Sequence, residues 1–455
     1  MNLMDSKKLF GTSGIRGDAE TLFTSQFCFD IGCTFVEFLR REKLLSPIAV
    51  GMDPRVSSPR IKKELFKGLS TSGMGLFDEG VTPIPSMNWL IKNTEVDGAI
   101  MITGSHIAPH LNGVKFYAHN EEISEEDERL IEDIYWKLKD KVKAPKNDIE
   151  AVMETRARDL YKELLLSLID GKLPKWKIGL DTANGAQTTV IPYLLEELGM
   201  EVVKVNCDLE EPFIARDTDT GDKAGIEKLQ ELVKKEKCDF GIAYDGDGDR
   251  VVFIDEKGSF IQGEYSCCLI AKESKSDIIV TTIAASQVVD TIGKKIIRTK
   301  VGSPYVVGEM KKTAANFGFE PNGGAISAEI QYTRDGGTMT MKLLNHFAKF
   351  SDKFSQMIGT LPRFYMERTK VDYPWELQDK ILSEAKENFK GIKTEETDGL
   401  KIWINNTTWM LFRSSQNAPE FRVFAESKSS EESKKLLKDG IDFVEDIIKR
   451  EGKSS

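Results

Sequence analysis

Three apolar runs in this chain end in an aspartate that is followed at once by a turn. Asp53, Asp181 and Asp245 occupy this position, and helix-like patterns lie between the runs. Alternation of buried strands with amphipathic helices predicts α/β units built on mixed or mostly parallel sheets with right-handed crossovers. No strict sequence period relates the units, so we interpret them as repeated domain architecture.

The length of the chain requires more than one hydrophobic core. A chain of 455 residues exceeds the size at which single cores stop growing. Beyond residue 361 the pattern changes to mixed strands followed by a capped helix, which indicates a domain of a different class. We predict three similar α/β domains over residues 1–145, 146–254 and 255–361, and a smaller C-terminal α+β domain over 362–455.

The sequence Asp245-Gly-Asp-Gly-Asp-Arg250 is the most specific chemical signal in the chain. Three carboxylates at alternate positions repel one another unless a cation gathers them, and the intervening glycines let the backbone curl around one centre. Hard oxygen ligands in this number suit Mg²⁺, which completes its coordination with water or phosphate oxygens. Asp245, Asp247 and Asp249 are therefore candidate metal ligands, with an acidic surface turn as the alternative.

A calcium-binding EF-hand is a competing interpretation of the same loop. Asp245, Asp247, Asp249 and Glu256 fall at its first, third, fifth and twelfth places. The sixth place, where an EF-hand needs glycine, is Arg250. Both flanks have strand patterns where an EF-hand has helices, so we reject this interpretation.

A serine loop follows the apolar run over residues 98–103. It contains Ser105, His106 and Lys115 among Gly, Pro and Asn-Gly turn residues. A hydroxyl at a strand end lies where α/β sheets bind ligands, and the two neighbouring side chains can accept or shield a proton. The alternative is a turn serine that hydrogen-bonds its own backbone.

Two further segments combine arginine with small or polar residues in a way that suits an anion. Phe10–Gly17 holds three glycines and Arg16, so backbone N–H groups can approach an anion beside a forked cation. Arg413–Arg422 groups its two terminal arginines with Ser415 and Asn417. A dianionic phosphate gains from several charge-assisted hydrogen bonds of this kind. Turns or solvated loops are the alternatives.

Composition excludes several classes of partner. The formal charge of −10 leaves no basic excess with which to bind nucleic acid. No apolar run approaches the roughly 20 residues that span a bilayer, and the first residues lack an apolar signal core. We therefore expect a cytoplasmic protein that binds neither nucleic acid nor membranes. The six cysteines are scattered, which favours buried free thiols over zinc.

The serine loop resembles that of the α-D-phosphohexomutases, the family of phosphoglucomutases and phosphomannomutases. That family shows Thr-Ala-Ser-His-Asn-Pro, three residues, and then Asn-Gly-x-Lys. The positions in register here are Thr103, Ser105, His106, Asn112, Gly113 and Lys115. The opening glycine-rich segment, the acidic loop and the arginine loop also stand in family order, so the resemblance runs from Phe10 to about Glu426.

This resemblance implies a role for each matched residue of the reaction centre. Ser105 is implied to carry a phosphoryl group and, with the three aspartates of the acidic loop, to bind Mg²⁺. Arg16 and Arg250 are implied to stabilise charge on the transferring group. We favour Lys115 as the acid/base group and His106 as an orienting residue.

Two loops that resemble substrate-binding segments of the family depart from its pattern. The family's sugar loop is Gly-Gly-Glu-x-Ser-Gly-His. Here Ser327 matches, Ala325 replaces the glutamate, and Glu329 replaces the histidine. The arginine loop resembles the family's phosphate loop and keeps Arg413, Ser415, Pro419 and Arg422, whereas Asn417 and Ala418 replace threonine and glutamate. Ser327, Glu329, Arg413, Ser415, Asn417 and Arg422 are the candidate substrate ligands.

The function implied is interconversion of hexose 1-phosphates and hexose 6-phosphates of mannose or glucose. Domains around a central cleft would hold a phosphoserine and a hexose 1,6-bisphosphate, which also serves as activator. Phosphoglucosamine mutase is an alternative, as are a phosphoserine-based sugar phosphatase and a weakly active phosphosugar-binding protein. We expect a monomer or a homodimer.

Overall fold

The structure is a computed structural model that describes residues 8–451 except 12, 146–148, 150, 219–222 and 416–418. The chain divides into two compact units. The first contains the chain up to Ser266 and the segment Asn322–Ser355, and the second contains Cys267–Pro321 and the chain from Gln356 onward. Among the helices that are described, none is both long enough and apolar enough to cross a bilayer.

A mixed sheet organises the N-terminal part of the first unit. Its strands are β1 (Ile15–Asp18), β2 (Ile48–Met52), β3 (Leu76–Val81), β4 (Gly98–Ile102), β5 (Leu111–Ala118), β6 (Glu121–Glu122) and β7 (Val152–Met153). The order is β1-β5-β4-β2-β3-β7, with β6 beside β5. From β4 to β7 the neighbours are parallel, whereas β1, β4 and β6 pair antiparallel with β5. The loops after β2 and β4 therefore leave the same edge of the sheet.

Five helices accompany this sheet. They are α1 (Ser25–Arg41), α2 (Ser58–Leu69), α3 (Ile84–Asn93), α4 (Glu125–Leu138) and α5 (Arg156–Ser167). The Thr24 side chain caps α1 by accepting a hydrogen bond from the Phe27 N–H. Helices α1 and α2 approach closely at Gly32 and Gly68, where a Cβ on Gly68 would lie 2.3 Å from the Phe29 carbonyl oxygen. Only glycine fits this crossing.

A second mixed sheet in the first unit carries the acidic loop. Its strands are β8 (Lys177–Asp181), β9 (Glu201–Val205), β10 (Phe240–Tyr244), β11 (Val251–Ile254) and β12 (Phe260–Ile261), accompanied by α6 (Ile191–Glu197) and α7 (Lys223–Glu236). The order is β12-β11-β10-β8-β9. Because β10 and β11 pair antiparallel from Tyr244 opposite Val251, the acidic loop is a hairpin connection. Strands therefore flank the acidic loop on both sides, as its sequence pattern predicted, whereas an EF-hand would have helices there.

The next segment contributes elements to both units. Its elements are α8 (Gly263–Glu273), β13 (Ile278–Thr282), β14 (Lys295–Thr299), α9 (Ser303–Thr313), β15 (Phe317–Phe319), β16 (Ala325–Ser327), β17 (Gln331–Arg334), α10 (Gly336–Ala348) and α11 (Phe354–Ile358). In the second unit, β14 and β15 lie parallel on either side of β13. In the first unit, β16 and β17 pair antiparallel. This pair carries the candidate sugar loop.

The C-terminal part of the second unit is an antiparallel sheet with helices. Its elements are β18 (Tyr365–Asp372), α12 (Gln378–Asn388), β19 (Lys393–Glu395), β20 (Leu400–Asn405), β21 (Thr408–Ser414), β22 (Glu420–Ser427) and α13 (Ser430–Glu451). The order is β18-β22-β21-β20-β19. Ile402, Phe412 and Val423 of the sheet share a core with Val444 and Ile447 of α13. This arrangement is the predicted α+β class.

The predicted multi-domain α/β class is confirmed, and one predicted element is wrong. The pattern of residues 284–293 resembles that of an α-helix and predicts one, but the structure has a short 3₁₀-helix over Gln287–Thr291. The Ser286 hydroxyl accepts a hydrogen bond from the Val288 N–H, and Gly293 turns the chain with φ +76° before β14 begins. The boundaries of the four predicted domains stay a prediction.

A buried lysine in the second unit makes stability depend on pH. Lys401 on β20 is fully buried, donates from Nζ to the Ile283 carbonyl oxygen (3.1 Å), and lies 3.7 Å from the ring centroid of Trp409. Burial and the nearby Arg298 lower the pKa of Lys401 to about 7. The lysine is therefore more readily neutral in the folded chain than in water.

We expect the free energy of unfolding to rise between about pH 7 and pH 9, and Lys401→Met to remove part of that rise. In this window the unfolded lysine, with a pKa of about 10.4, holds a proton that the folded lysine has largely lost. The unfolded state then binds more protons, so stability increases with pH. Urea unfolding of the wild type and the variant across this range measures the difference, and identical pH dependence would contradict it.

Candidate active site

The loop between β4 and β5 directs the Ser105 hydroxyl at the acidic loop. Ser105 is fully buried and has a left-handed backbone, with φ +53°. Its N–H donates to Thr103 Oγ1 (2.8 Å), and Thr103 Oγ1 donates to Asp247 Oδ2 (3.0 Å). Its own Oγ donates to Asp245 Oδ2 (3.2 Å) and lies 3.3 Å from His106 Nδ1. The serine is therefore connected to the carboxylates by a direct hydrogen bond to Asp245 and by a hydrogen-bonded path through Thr103 to Asp247.

The three aspartates of the hairpin Asp245–Arg250 converge on one centre. One carboxylate oxygen from each of Asp245, Asp247 and Asp249 lies within 4.8 Å of the others, and all three residues are buried. The backbone of the hairpin is held from outside by α3, because the Ile84 N–H donates to the Asp247 carbonyl oxygen (3.0 Å). Within the hairpin, the Arg250 N–H donates to Asp245 Oδ1 (3.1 Å). The cluster is a fixed part of the fold.

Burial and mutual repulsion perturb the three carboxyl groups unequally. Burial, with Asp247 and Asp249 nearby, raises the pKa of Asp245 well above its ordinary value. Burial and Asp249 likewise raise the pKa of Asp247. Burial alone would raise the pKa of Asp249, but Arg334 and Arg250 lower it below its ordinary value. Negative charge at this centre is thus costly without a balancing cation.

The oxygens of the cluster suit a divalent cation. Oδ1 of Asp247 and Oδ1 of Asp249 are buried and accept no hydrogen bond from any described residue. Such oxygens are costly to bury unless something binds them. Several hard carboxylate oxygens beside a hydroxyl match the preferences of Mg²⁺. The residues present therefore fit the ion that was predicted here.

Three arginines surround the acidic cluster. Arg16 on β1 lies opposite Gly113 on β5, and burial, with Arg250 and Arg334 nearby, lowers the pKa of Arg16 against the opposing effect of Asp247. Arg250 Nε lies 3.7 Å from an oxygen of Asp245 and 3.6 Å from one of Asp249. Arg334, at the end of β17, donates to Asp249 Oδ2 (2.5 Å). These cations could also neutralise a bound phosphoryl group.

Sequence reasoning missed the part that Arg334 plays at the centre. Arg334-Asp-Gly-Gly337 was given no role in the sequence analysis. The position of Arg334 in the sequence marks it as a candidate, because it immediately precedes Asp335, the N-cap of α10. The Asp335 side chain accepts a hydrogen bond from the Thr338 N–H. A strand that ends at a helix start is a usual place for site residues in α/β folds.

His106, and not Lys115, contacts the serine hydroxyl. Lys115 lies on β5, is buried, and has its Nζ 3.6 Å from Glu122 Oε1. Its charge also helps to lower the pKa of Asp247 against the raising effect of burial. Both residues border the same centre, and their separate roles in proton movement stay predictions.

The candidate sugar loop connects β16 and β17. Ser327 is buried at the end of β16, and its Oγ lies 3.5 Å from Glu329 Oε1. Glu329 is exposed and pairs with Lys342 Nζ (2.7 Å). The Asn88 side chain on α3 fixes the loop by donating to Gln331 Oε1 (2.9 Å). Because β17 ends at Arg334, the loop belongs to the same unit as the acidic cluster and connects to it.

The candidate phosphate loop lies in the second unit. Arg413 on β21 and Arg422 on β22 are directly opposite each other, an arrangement of like charges that is unfavourable unless anions balance it. Asp398 accepts from Arg413 Nε (2.5 Å), and Glu420 lies 3.6 Å from an Arg422 nitrogen. The Ser415 N–H donates to the Glu420 carbonyl oxygen (2.8 Å). Asn417 lies outside the described residues.

Three family profiles match consecutive parts of the chain. They describe α/β/α domains I, II and III of phosphoglucomutase/phosphomannomutase, and they match residues 7–142, 159–258 and 262–365. Together they cover well over half of the chain. The chain belongs to the phosphoglucomutase/phosphomannomutase family. Membership confirms the resemblance and places the chain among isomerases that move a phosphoryl group.

Individual members of the phosphoglucomutase/phosphomannomutase family resemble the chain over nearly its whole length. The phosphoglucomutase/phosphomannomutase of Thermococcus kodakarensis is 36% identical over 97% of this chain and 99% of that protein. The phosphoglucosamine mutase of Methanocaldococcus jannaschii is 31% identical over 97% of this chain and 99% of that protein. A solved structure of a family protein from Burkholderia thailandensis, 23% identical, matches with a TM-score of 0.80 over 97% of this chain and 98% of that chain.

Proposed function

We propose that the chain is a phosphohexomutase that interconverts the 1-phosphate and 6-phosphate of mannose, glucose or both. The observation that carries this proposal is the contact of the Ser105 hydroxyl with Asp245, beside a carboxylate cluster whose oxygens suit Mg²⁺. Phosphoryl transfer needs mainly positioning and neutralisation of charge. Both are available at this centre, where three arginines border three aspartates.

The proposed reaction starts from the protein phosphorylated on Ser105, which carries nearly two negative charges at neutral pH. A hydroxyl oxygen of the sugar phosphate forms a bond to phosphorus while the bond from phosphorus to Ser105 Oγ breaks. The proton of the sugar hydroxyl passes to Lys115 and from there to Ser105 Oγ, beside which His106 lies, so the number of protons at the site is unchanged. Arg16 and Arg250 stabilise charge on the transferring group.

Mg²⁺ bound by Ser105 and the three aspartates would supply further charge neutralisation for the transferring phosphoryl group. The product of the first transfer is a hexose 1,6-bisphosphate. Its other phosphate returns to Ser105 after the sugar has reversed its orientation, and the net result moves phosphate between C1 and C6. A free bisphosphate would activate protein that has lost its phosphoryl group.

The proposed site for the substrate's own phosphate is the arginine loop. We expect Arg413→Ala to raise KM for the hexose phosphate roughly 10-fold to 100-fold, because charge-assisted hydrogen bonds contribute about 1.5–3 kcal/mol each. Binding of Mn²⁺ in place of Mg²⁺ should be unchanged. Steady-state kinetics measure KM, and Arg450→Ala, which removes an exposed pair with Glu384, is the matched control. An unaltered KM in the Arg413 variant would remove this loop from substrate binding.

Phosphoglucosamine is the second candidate substrate. Relatives that are 31% identical include a phosphoglucosamine mutase, and Glu329 places a carboxylate in the sugar loop where the family pattern has histidine. A carboxylate could pair with the ammonium group of glucosamine. Ser327 would contribute to sugar binding in either case.

A parallel turnover assay tests the proposal. The purified protein is supplied with Mg²⁺, a trace of hexose 1,6-bisphosphate, and the 1-phosphate of mannose, glucose or glucosamine. We expect the 6-phosphate of mannose or glucose to form without matching release of inorganic phosphate. Free phosphate as the main product would identify a phosphatase, and binding of a hexose phosphate without turnover would identify a binding protein. The cytoplasmic location and the monomeric or homodimeric state stay predictions.

A further inference from the structure

Arg55 lies beneath the serine loop and uses every hydrogen-bond donor of its side chain. Its Nε donates to Asp53 Oδ2 (3.0 Å). The four remaining N–H groups of a guanidinium have four acceptors within reach, all of them backbone carbonyl oxygens of the serine loop. These are the carbonyl oxygens of Ser105 (2.8 Å), Ile107 (2.7 Å), Ala108 (2.8 Å) and Leu111 (3.1 Å).

The serine loop has few backbone–backbone hydrogen bonds of its own. Between β4 and β5, the Ile107 N–H donates to the Gly104 carbonyl oxygen (3.2 Å), and the Leu111 N–H donates to that of Ala108 (3.0 Å). Ser105 adopts a left-handed backbone that is unfavourable for a residue with a side chain and that the surroundings must therefore impose. Arg55 is the group that gathers the loop's carbonyl oxygens.

Arg55 also joins the serine loop to the acidic loop. Its guanidinium stacks on the Phe213 ring, 4.5 Å from the centroid. Phe213 in turn packs against Gly246, where an added Cβ would lie 2.3 Å from the ring and 3.0 Å from the Ser105 carbonyl oxygen. A Cβ on Gly104 would lie 2.7 Å from the Arg55 guanidinium carbon. The four groups form one close-packed stack.

The charge of Arg55 is already balanced. Asp53, the first of the three strand-end aspartates, pairs with it and also accepts from the Ser58 hydroxyl (2.9 Å) and the Gly104 N–H (3.2 Å). Arg55 and Asp53 are both buried. With its donors engaged and its charge paired, Arg55 has no N–H left with which to bind a phosphate.

We propose that Arg55 is the positioning residue that holds the Ser105 hydroxyl at the acidic cluster. It acts through the backbone of the serine loop and touches neither substrate nor metal. Its loss slows phosphoryl transfer to and from Ser105 and leaves the affinities for metal and for hexose phosphate close to those of the wild type. The expected effect on phosphoryl transfer rests on the proposed function. The role of Arg55 in holding the serine loop is a property of the fold and does not depend on that function.

Two variants of the full chain test the inference. Arg55→Lys keeps the charge, but a single ammonium group has three donors and cannot reach four carbonyl oxygens and Asp53 together. Phe213→Leu removes only the stacking partner and keeps an apolar side chain of similar size. Arg60→Lys is the matched control, because Arg60 also donates to backbone carbonyl oxygens, those of Phe23 (2.7 Å) and Ala19 (2.5 Å).

The first measurement is amide hydrogen exchange of peptides that cover residues 103–113, which requires no activity. We expect exchange to accelerate at least about 10-fold in Arg55→Lys, several-fold in Phe213→Leu, and not in Arg60→Lys, because a loop that has lost its anchor opens more often. Unchanged exchange in Arg55→Lys would overturn the inference, even if the protein has no mutase activity.

The second measurement separates catalysis from binding. With hexose 1,6-bisphosphate as phosphoryl donor, we expect the single-turnover rate of Ser105 phosphorylation to fall at least about 100-fold in Arg55→Lys. Mn²⁺ affinity and KM should stay within about three-fold of the wild type. An unchanged rate, or a raised KM with an unchanged rate, would overturn the inference. Absence of Ser105 phosphorylation in the wild type would instead refute the proposed function. The hydrogen-exchange result would then decide whether Arg55 holds the serine loop in place.

Discussion

Ser105→Ala is expected to abolish steady turnover while the fold stays intact. Every proposed catalytic cycle passes a phosphoryl group through the Ser105 hydroxyl, and alanine offers no oxygen to bond to phosphorus. Removal of a covalent nucleophile typically costs at least about 10⁴-fold in kcat. The coupled assay for hexose 6-phosphate measures this loss, and circular dichroism with thermal unfolding reports on the fold.

A second serine provides the control for this substitution. The Ser70 hydroxyl donates only to the Lys67 carbonyl oxygen within its own helical segment, so Ser70→Ala should retain full activity. The Ser105 variant should also keep its affinity for Mn²⁺ within about 10-fold, since the three carboxylates remain. Residual turnover above a few per cent of the wild type would exclude Ser105 as the phosphoryl carrier.

Asp247→Asn is expected to abolish metal binding and, with it, turnover. The amide can keep an acceptor for the Thr103 hydroxyl, but its NH₂ group takes the place of Oδ1, which accepts no hydrogen bond from the described residues. An amide nitrogen repels a hard cation. The loss of metal affinity should exceed roughly 10-fold to 100-fold, which is the loss caused by substituting residues that only support a metal ligand. Titration with Mn²⁺ followed by electron paramagnetic resonance measures the affinity directly.

The same substitution should raise stability when metal is absent. Burial and Asp249 raise the pKa of Asp247, so the ionised cluster is a source of repulsion that an asparagine relieves. With saturating Mg²⁺ the wild type should instead be more stable than Asp247→Asn. A ligand present at 100 times its Kd stabilises the folded state by about 2.7 kcal/mol. Asp255→Asn is the control, since among the described residues the Asp255 side chain accepts only from the backbone N–H groups of Lys257 and Ser259. Equal Mg²⁺ stabilisation of wild type and Asp247→Asn would exclude this carboxylate as a ligand.

Local sequence was sufficient to predict the acidic cluster, whereas the serine that meets it was implied by the family resemblance. Asp245, Asp247 and Asp249 lie in one short hairpin, where glycines between the acids leave few arrangements other than convergence. Ser105 follows a strand of one sheet and the acidic loop follows a strand of another, so their meeting depends on how the two sheets pack and was predicted only through the family resemblance. The strand-end aspartates Asp53 and Asp181 were recognised as a pattern but were given no role.

Partners that are distant in sequence could not be predicted in this way. Asp53 pairs with its near neighbour Arg55, but Arg55 holds the Ser105 carbonyl oxygen from 50 residues away. Asp181 pairs with the buried Arg216, which lies 35 residues away and is marked by no local pattern. Arg334 reaches Asp249 from 85 residues away. Such pairings depend on how the sheets and loops pack, which is why the supporting contacts became clear only in the folded structure.

The most direct test of the central claim follows a labelled phosphoryl group. The wild-type protein is incubated with Mg²⁺ and hexose 1,6-bisphosphate that carries ³²P, and the labelled residue is identified by peptide mapping. An unlabelled hexose 6-phosphate is then added as a chase. The account predicts that label accumulates on Ser105 alone and returns to the sugar as bisphosphate during the chase. Label on another residue, or its release only as inorganic phosphate, would contradict the account.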